Sequence, residues 1–206
     1  QLKTSVDFPI AIYAKDYDNN GSVDPILSCY DEGKNYPVFS KDDIQQQLTF
    51  LKKRFVKYNE YAGLTIEQVF TPKELEGAKV LYAKNFETSY IENLGNGEFK
   101  VSALPKQSQF SPIYGLSSGD FNKDGHIDIL MGGNFTASRV KFGHYDAIKG
   151  ICLLGDGSGK FKYLDASDSG LMISGEVRDI KKLTSSNGEE YYVFVRNNDS
   201  PKIYKP

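Results

Sequence analysis

The sequence predicts a mainly β chain of about three blade-like units carrying one helical insertion. Three observations lead there. Tyr and Phe number 14 and 13 among 206 residues, and aromatic side chains favour strands. The 19 Gly and 8 Pro supply many turns. Lastly, a strand, an acidic Gly-containing loop and a second strand occur twice in the same order.

The first copy spans residues 10–30. An apolar stretch leads into Asp16-Tyr17-Asp18-Asn19-Asn20-Gly21-Ser22-Val23-Asp24 and then Ile26-Leu27. The second spans residues 112–133. Ile113 and Leu116 precede Asp120-Phe121-Asn122-Lys123-Asp124-Gly125-His126-Ile127-Asp128, and Ile129-Leu130-Met131 follow. A Gly-turn element comes after each copy, Tyr90 to Phe99 around Gly95-Asn96-Gly97 and Ile151 to Phe161 around Gly155-Asp156-Gly157. Asn-Gly and Asp-Gly between apolar runs signal hairpins. A third, degenerate copy begins at Val177-Arg178-Asp179-Ile180, turns at Asn187-Gly188 and continues as Tyr191–Val195 without an acidic loop. Lys202-Ile203-Tyr204 is a closing strand.

One segment breaks the β pattern. Ile44, Leu48, Leu51, Phe55 and Tyr58 recur at steps of four and three, the stripe of an amphipathic helix from Ser40 to Tyr58. Ser40 is its N-cap, and Asp42 and Asp43 suit the helix dipole. Thr71-Pro72-Lys73-Glu74 is a capping box that starts a short helix, and another turn is expected near 65–70. Residues 40–78 are thus a helical insertion between the second and third strands of the first repeat. Without it the first two repeats are each about 50 residues, the length of a four-stranded propeller blade. The expected units are blade one at 7–110, blade two at 111–168 and a degenerate blade three at 169–206. Three are too few for a closed propeller, which needs about 4–8. The chain, which begins Gln1-Leu2-Lys3 with no apolar leader, is therefore expected to be part of a larger propeller.

The loops carry the chemistry. Oxygen-bearing side chains stand at positions 1, 3, 5 and 9, as Asp16, Asp18, Asn20 and Asp24, and as Asp120, Asn122, Asp124 and Asp128. Gly21 and Gly125 follow position 5. A hard cation such as Ca²⁺ takes about six to eight oxygens. A tightly wound loop turns alternate carboxylates towards one centre, and the Gly permits the turn. Ser22 and His126, at position 7, would offer backbone carbonyls, with the His126 ring pointing away. Two calcium sites are expected. An EF-hand is not, because position 12 is Leu27 or Met131 rather than Glu, within a β-like run. The competing interpretation is two Asx-rich turns with no metal; recurrence at matching places favours the ion.

These loops, with the later Gly-x-Gly-x-Phe turn, resemble the FG-GAP/VCBS repeat family. Asp18 to Leu27, Tyr61-Ala62 and Gln109-Phe110-Ser111-Pro112-Ile113-Tyr114-Gly115 are similar to VCBS-repeat proteins of the Bacteroidetes in the ASPIC/UnbV (cartilage acidic protein-like) group. The resemblance implies a calcium-stabilised β-propeller module, exported to the periplasm, the outer membrane or the cell exterior. It also implies a recognition or adhesion role towards an unidentified protein or glycan, beside other blades of a parent protein. No metal site carries over to the third repeat, where no ligand set follows Asp179.

Composition excludes other classes. The net charge of −2 gives no positive field to hold nucleic acid. No apolar run reaches the roughly 18 residues of a membrane span. Two His and two Cys argue against a multi-His metal enzyme or a zinc domain. Cys29 and Cys152 are expected as buried thiols, with pairing left open. Arg139 to Asp146 mixes cationic, aromatic and acidic groups in a loop, either a binding face or an ordinary solvated connection. His144 with Asp146 lacks an accompanying nucleophile motif. Lys52-Lys53-Arg54 and Lys57 form a basic run on the inserted helix, mainly its solvent face. Arg196 to Asp199 is a blade-end loop, and Asn134-Phe135-Thr136 is a formal glycosylation sequon. A non-catalytic module is the leading function; a hydrolase acting on glycans or phosphoesters, and a purely structural segment, are the alternatives.

Overall fold

The computed structural model describes residues 4–140 and 143–206, and it is mainly β with several antiparallel sheets. It divides into two compact units, the first ending at Phe86 and the second beginning at Glu87.

In the first unit, β1 (Ile10–Lys15), β2 (Asp24–Asp31), β3 (Lys34–Pro37) and β4 (Lys79–Ala83) form a sheet of order β3-β2-β1-β4. The first acidic loop joins β1 to β2, and Lys15 stands opposite Asp24 where the strands part. Glu32 and Gly33 close the β2–β3 hairpin with φ of 47° and 76°, the two positive values that a type I′ turn needs. Four short helices follow β3: α1 (Lys41–Gln47), α2 (Leu51–Arg54), α3 (Ile66–Val69) and α4 (Pro72–Leu75). Ser40 caps α1 by accepting from Asp43 N, and capping boxes open α3 and α4 at Thr65 and Thr71.

The helix expected from Ser40 to Tyr58 is broken at Leu48, whose φ and ψ are −116° and 88°. The buried amide of Gln45 bridges the break, donating from Nε2 to the carbonyls of Leu51 and Phe55 at 3.1 and 2.7 Å. The stripe still faces inward. Ile44, Leu48 and Leu51 are fully buried with Ile66, Val69 and Phe70, and Tyr58 is exposed.

In the second unit, β5 (Ser89–Gly95) and β6 (Glu98–Ala103) form a two-stranded sheet. β7 (Ile113–Gly119), β8 (Asp128–Gly133), β9 (Ile151–Gly155) and β10 (Phe161–Leu164) form a consecutive four-stranded meander. After α5 (Ala166–Ser169), β11 (Val177–Thr184), β12 (Glu190–Arg196) and β13 (Lys202–Tyr204) form a three-stranded meander. One core gathers Leu130 and Cys152 with Val177, Ile180, Tyr192 and Phe194. A second gathers Met131, Ile151 and Leu153 with Leu104, Tyr90 and Phe161. Tyr90 meets Phe161 edge-on at 5.4 Å. The other face of this hairpin sets Ile91 opposite Val101, 61% and 54% exposed.

The two Gly-turn elements are used differently. In the second repeat the element supplies β9 and β10 beside β8; in the first it supplies β5 and β6, apart from β2. β3, which sequence patterning does not single out, occupies that edge of β2. A two-residue turn closes at less entropic cost than a connection across the helices, so β2 pairs locally.

Both cysteines are free, Cys152 buried and Cys29 half-buried. Burial pushes the Cys152 thiol up to about 11. Asn134 is 1% exposed, and its Nδ2 donates to the carbonyls of Ile148 and Gly175 at 2.7 and 3.0 Å. The formal sequon is thus closed in the folded chain. Among the described residues no helix is long and apolar enough to cross a membrane.

Candidate metal centre

Backbone donors wind the first loop into shape. Asp16 accepts Asn20 N on Oδ1 at 3.1 Å and Gly21 N on Oδ2 at 2.8 Å. Asp18 accepts Asn20 N at 3.2 Å, and Asn20 Oδ1 accepts Ser22 N at 2.8 Å. Asp24, at the start of β2, accepts Tyr17 N on Oδ2 at 3.0 Å. Asn19 and Gly21 take φ of 58° and 89°. Gly suits that conformation, and Asn tolerates it.

The second loop repeats this frame bond for bond. Asp120 accepts Asp124 N at 3.1 Å and Gly125 N at 2.9 Å. Asn122 accepts Asp124 N at 3.1 Å, Asp124 accepts His126 N at 2.8 Å, and Asp128 accepts Phe121 N at 2.8 Å. Lys123 and Gly125 take φ of 63° and 87°. Two nine-residue loops with no shared side chain at positions 2, 4 or 7 thus reach the same backbone form. Alternating oxygen acceptors and one Gly therefore suffice to specify it.

What differs is where the negative charge falls. In the first loop, Asp16, Asp18 and Asp24 each place a carboxylate oxygen within 4.8 Å of the others, and the group could hold a metal ion. It is the group of that kind among the described residues. Its donors are hard oxygens, and Asn20 adds a carboxamide oxygen, so the chemistry suits Ca²⁺ or another hard cation. Hydrogen bonds, chiefly from Gly21 N, hold the Asp16 carboxyl below its usual range, and His126 N does the same for Asp124. Both groups are therefore anionic well below neutral pH.

The second loop has Asn122 at position 3, and Asn122 Nδ2 donates to Asp124 Oδ2 at 2.7 Å. Asp128 is fully buried and takes a second donor, Gly155 N on Oδ1 at 2.9 Å. The His126 ring lies against the β9–β10 turn, 2.5 Å from where a Cβ on Gly157 would stand.

Other sequence candidates are placed as follows. His144 and Asp146 are exposed, and Lys141 and Phe142 of the same loop lie outside the described residues. Phe135 and Tyr145 exchange backbone hydrogen bonds at 2.7 and 2.9 Å, pinning the loop at that point. In the basic run, Lys52, Lys53 and Lys57 are exposed. Arg54 instead forms a bidentate pair with Glu74 at 2.7 and 3.0 Å. The Arg196 side chain is spent on the carbonyls of Ser174 and Ser200 and on Asp199.

Two features escape sequence inspection. Glu176 accepts from Thr136 Oγ1, Asn197 Nδ2 and Arg178 at 2.6, 2.8 and 2.6 Å. Hydrogen bonds, led by Thr136, push its carboxyl down to about 2. Gly155 N is the other. A motif ending in Gly155-Asp156-Gly157 advertises a turn, and nothing in its spacing points back to Asp128. Compared with known proteins, the chain matches no protein-family model and no curated protein sequence.

Proposed function

We propose that the chain is a non-catalytic calcium-binding β module of an exported protein, serving recognition of a protein or glycan. The first acidic loop is its principal ion site. The observation behind this is the convergence of Asp16, Asp18 and Asp24 within 4.8 Å on a loop whose backbone is already wound by its own amides. Three carboxylates at that spacing repel one another strongly unless a cation lies among them. Asp16, Asp18, Asn20 and Asp24 would supply side-chain oxygens and Ser22 a backbone carbonyl. The bound divalent ion offsets two of the cluster's three negative charges and fastens β1 to β2. Export and the role in recognition follow from the resemblance to FG-GAP/VCBS repeats.

The test is a calcium titration of chelator-stripped protein, followed by calorimetry and thermal melting. A ligand that binds only the folded state at 100 times its Kd adds about 2.7 kcal/mol, so the melting temperature should rise by several degrees. D18N removes one ligand charge and should weaken binding roughly tenfold or more. No heat and no melting shift at millimolar calcium would overturn the proposal.

A further inference from the structure

The two loops share a backbone frame but differ in what balances their carboxylates, and the difference has a topological origin. β3 pairs with β2 only from Ser28 to Asp31, so among the described residues no strand pairs beside Asp24 on that side. β9 pairs with β8 through Ile129–Leu153 and continues to Gly155, level with the acidic loop. Only glycine can make that approach, because a Cβ on Gly155 would stand 2.2 Å from the Ile127 carbonyl oxygen. Gly155 N is thereby delivered to Asp128 Oδ1, while Phe121 N holds Oδ2. Asp24 receives Tyr17 N on Oδ2 alone.

A second substitution acts the same way. Asn122 brings an N–H group to Asp124, between positions 3 and 5, where the first loop has Asp18 and Asn20. Lys160, Lys162 and Asp156 line the cavity that also contains Asn122 and Asp124, so two cations against one carboxylate flank the loop and lower its attraction for a further cation.

We propose that the second loop has replaced its ion with protein donors. Asp128 is a metal-independent clasp that fastens the loop to the end of β9, and the tight cation site belongs to the first loop. Asp128 is therefore a positioning residue, and its partner at position 9, Asp24, is the ion-responsive one. The half of this statement that concerns the first loop rests on the calcium reading above; the clasp does not.

The experiment compares D24N and D128N in the full chain, first stripped with chelator and then with calcium. One amide oxygen satisfies Tyr17 N, and the substitution relieves carboxylate repulsion in the metal-free loop, so D24N should melt at or above wild type without metal. D128N must turn its NH₂ against one of two buried N–H donors, so its metal-free melting temperature should fall by several degrees. With calcium, D24N should lose the upward shift and D128N, where folded, should keep it. In case D128N does not fold, amide exchange of metal-free wild type supplies the second measurement, and both Phe121 N and Gly155 N should be slow. Equal metal-free melting of the two variants, or fast exchange at Gly155, would overturn the clasp. Loss of the calcium shift in D128N, or two equivalent tight sites by calorimetry, would overturn the division of labour. Absence of any calcium response in wild type would sink the calcium reading and the first-loop half, and the metal-free comparison would still decide the clasp.

Discussion

Tyr17 occupies the second position of the first loop, where the second loop has Phe121. Its ring is buried against Phe70 at 5.0 Å, and its hydroxyl has no hydrogen-bond partner. Burial pushes that hydroxyl up to about 12. A buried hydroxyl without a partner costs about 1–3 kcal/mol. Y17F should therefore leave the loop intact and raise the stability of the first unit by about 1 kcal/mol, read from urea denaturation; a loss of 1 kcal/mol would contradict the orphaned state. The oxygen-bearing side chains themselves were legible because a loop of alternate oxygens is a local pattern. The donor to Asp128 was not, since it arrives from 27 residues away along a neighbouring strand.

Helices α2 and α4 are tied together by the Arg54–Glu74 pair, whose Glu74 also closes the α4 capping box through Thr71 N at 2.8 Å. The Arg54 guanidinium, first among the causes, pulls the Glu74 carboxyl from its ordinary 4.5 down to about 2. A depressed carboxyl stabilises the fold fully above its ordinary value, and that contribution is lost as pH falls towards about 2. Wild type should thus be more stable than E74Q at pH 7, and their melting curves should converge between pH 4.5 and about 2. A constant gap across that window would deny the pair its role. Capping at Ser40 and Thr71 was readable from three-residue spacings, and the box at Thr65 was not singled out. The break at Leu48 was not, because Gln45 decides it by reaching carbonyls six and ten residues on. β3 was missed for a related reason: Lys34–Pro37 has little apolar alternation, and the Glu32-Gly33 turn, not the strand's own composition, places it.

Across the whole chain, the repeat was visible as two acidic loops, and the distribution of strands between sheets was not. Sheet membership depends on which edge a strand reaches first, and β3 reaches that of β2 by the shorter route. The two loops fall in different compact units, so the response to calcium should be divided too. Hydrogen exchange with and without calcium is expected to slow amides in residues 10–31 and to leave residues 113–133 unchanged; equal slowing of both segments would contradict this division. Asn134 has a consequence for how the protein is made. In a host that attaches oligosaccharides to nascent chains, transfer to its Nδ2 competes with folding, because the finished fold has already given that nitrogen to Ile148 and Gly175. Copies that acquire the sugar first cannot complete the second unit, so secreted material should be sugar-free at Asn134 and depleted in yield.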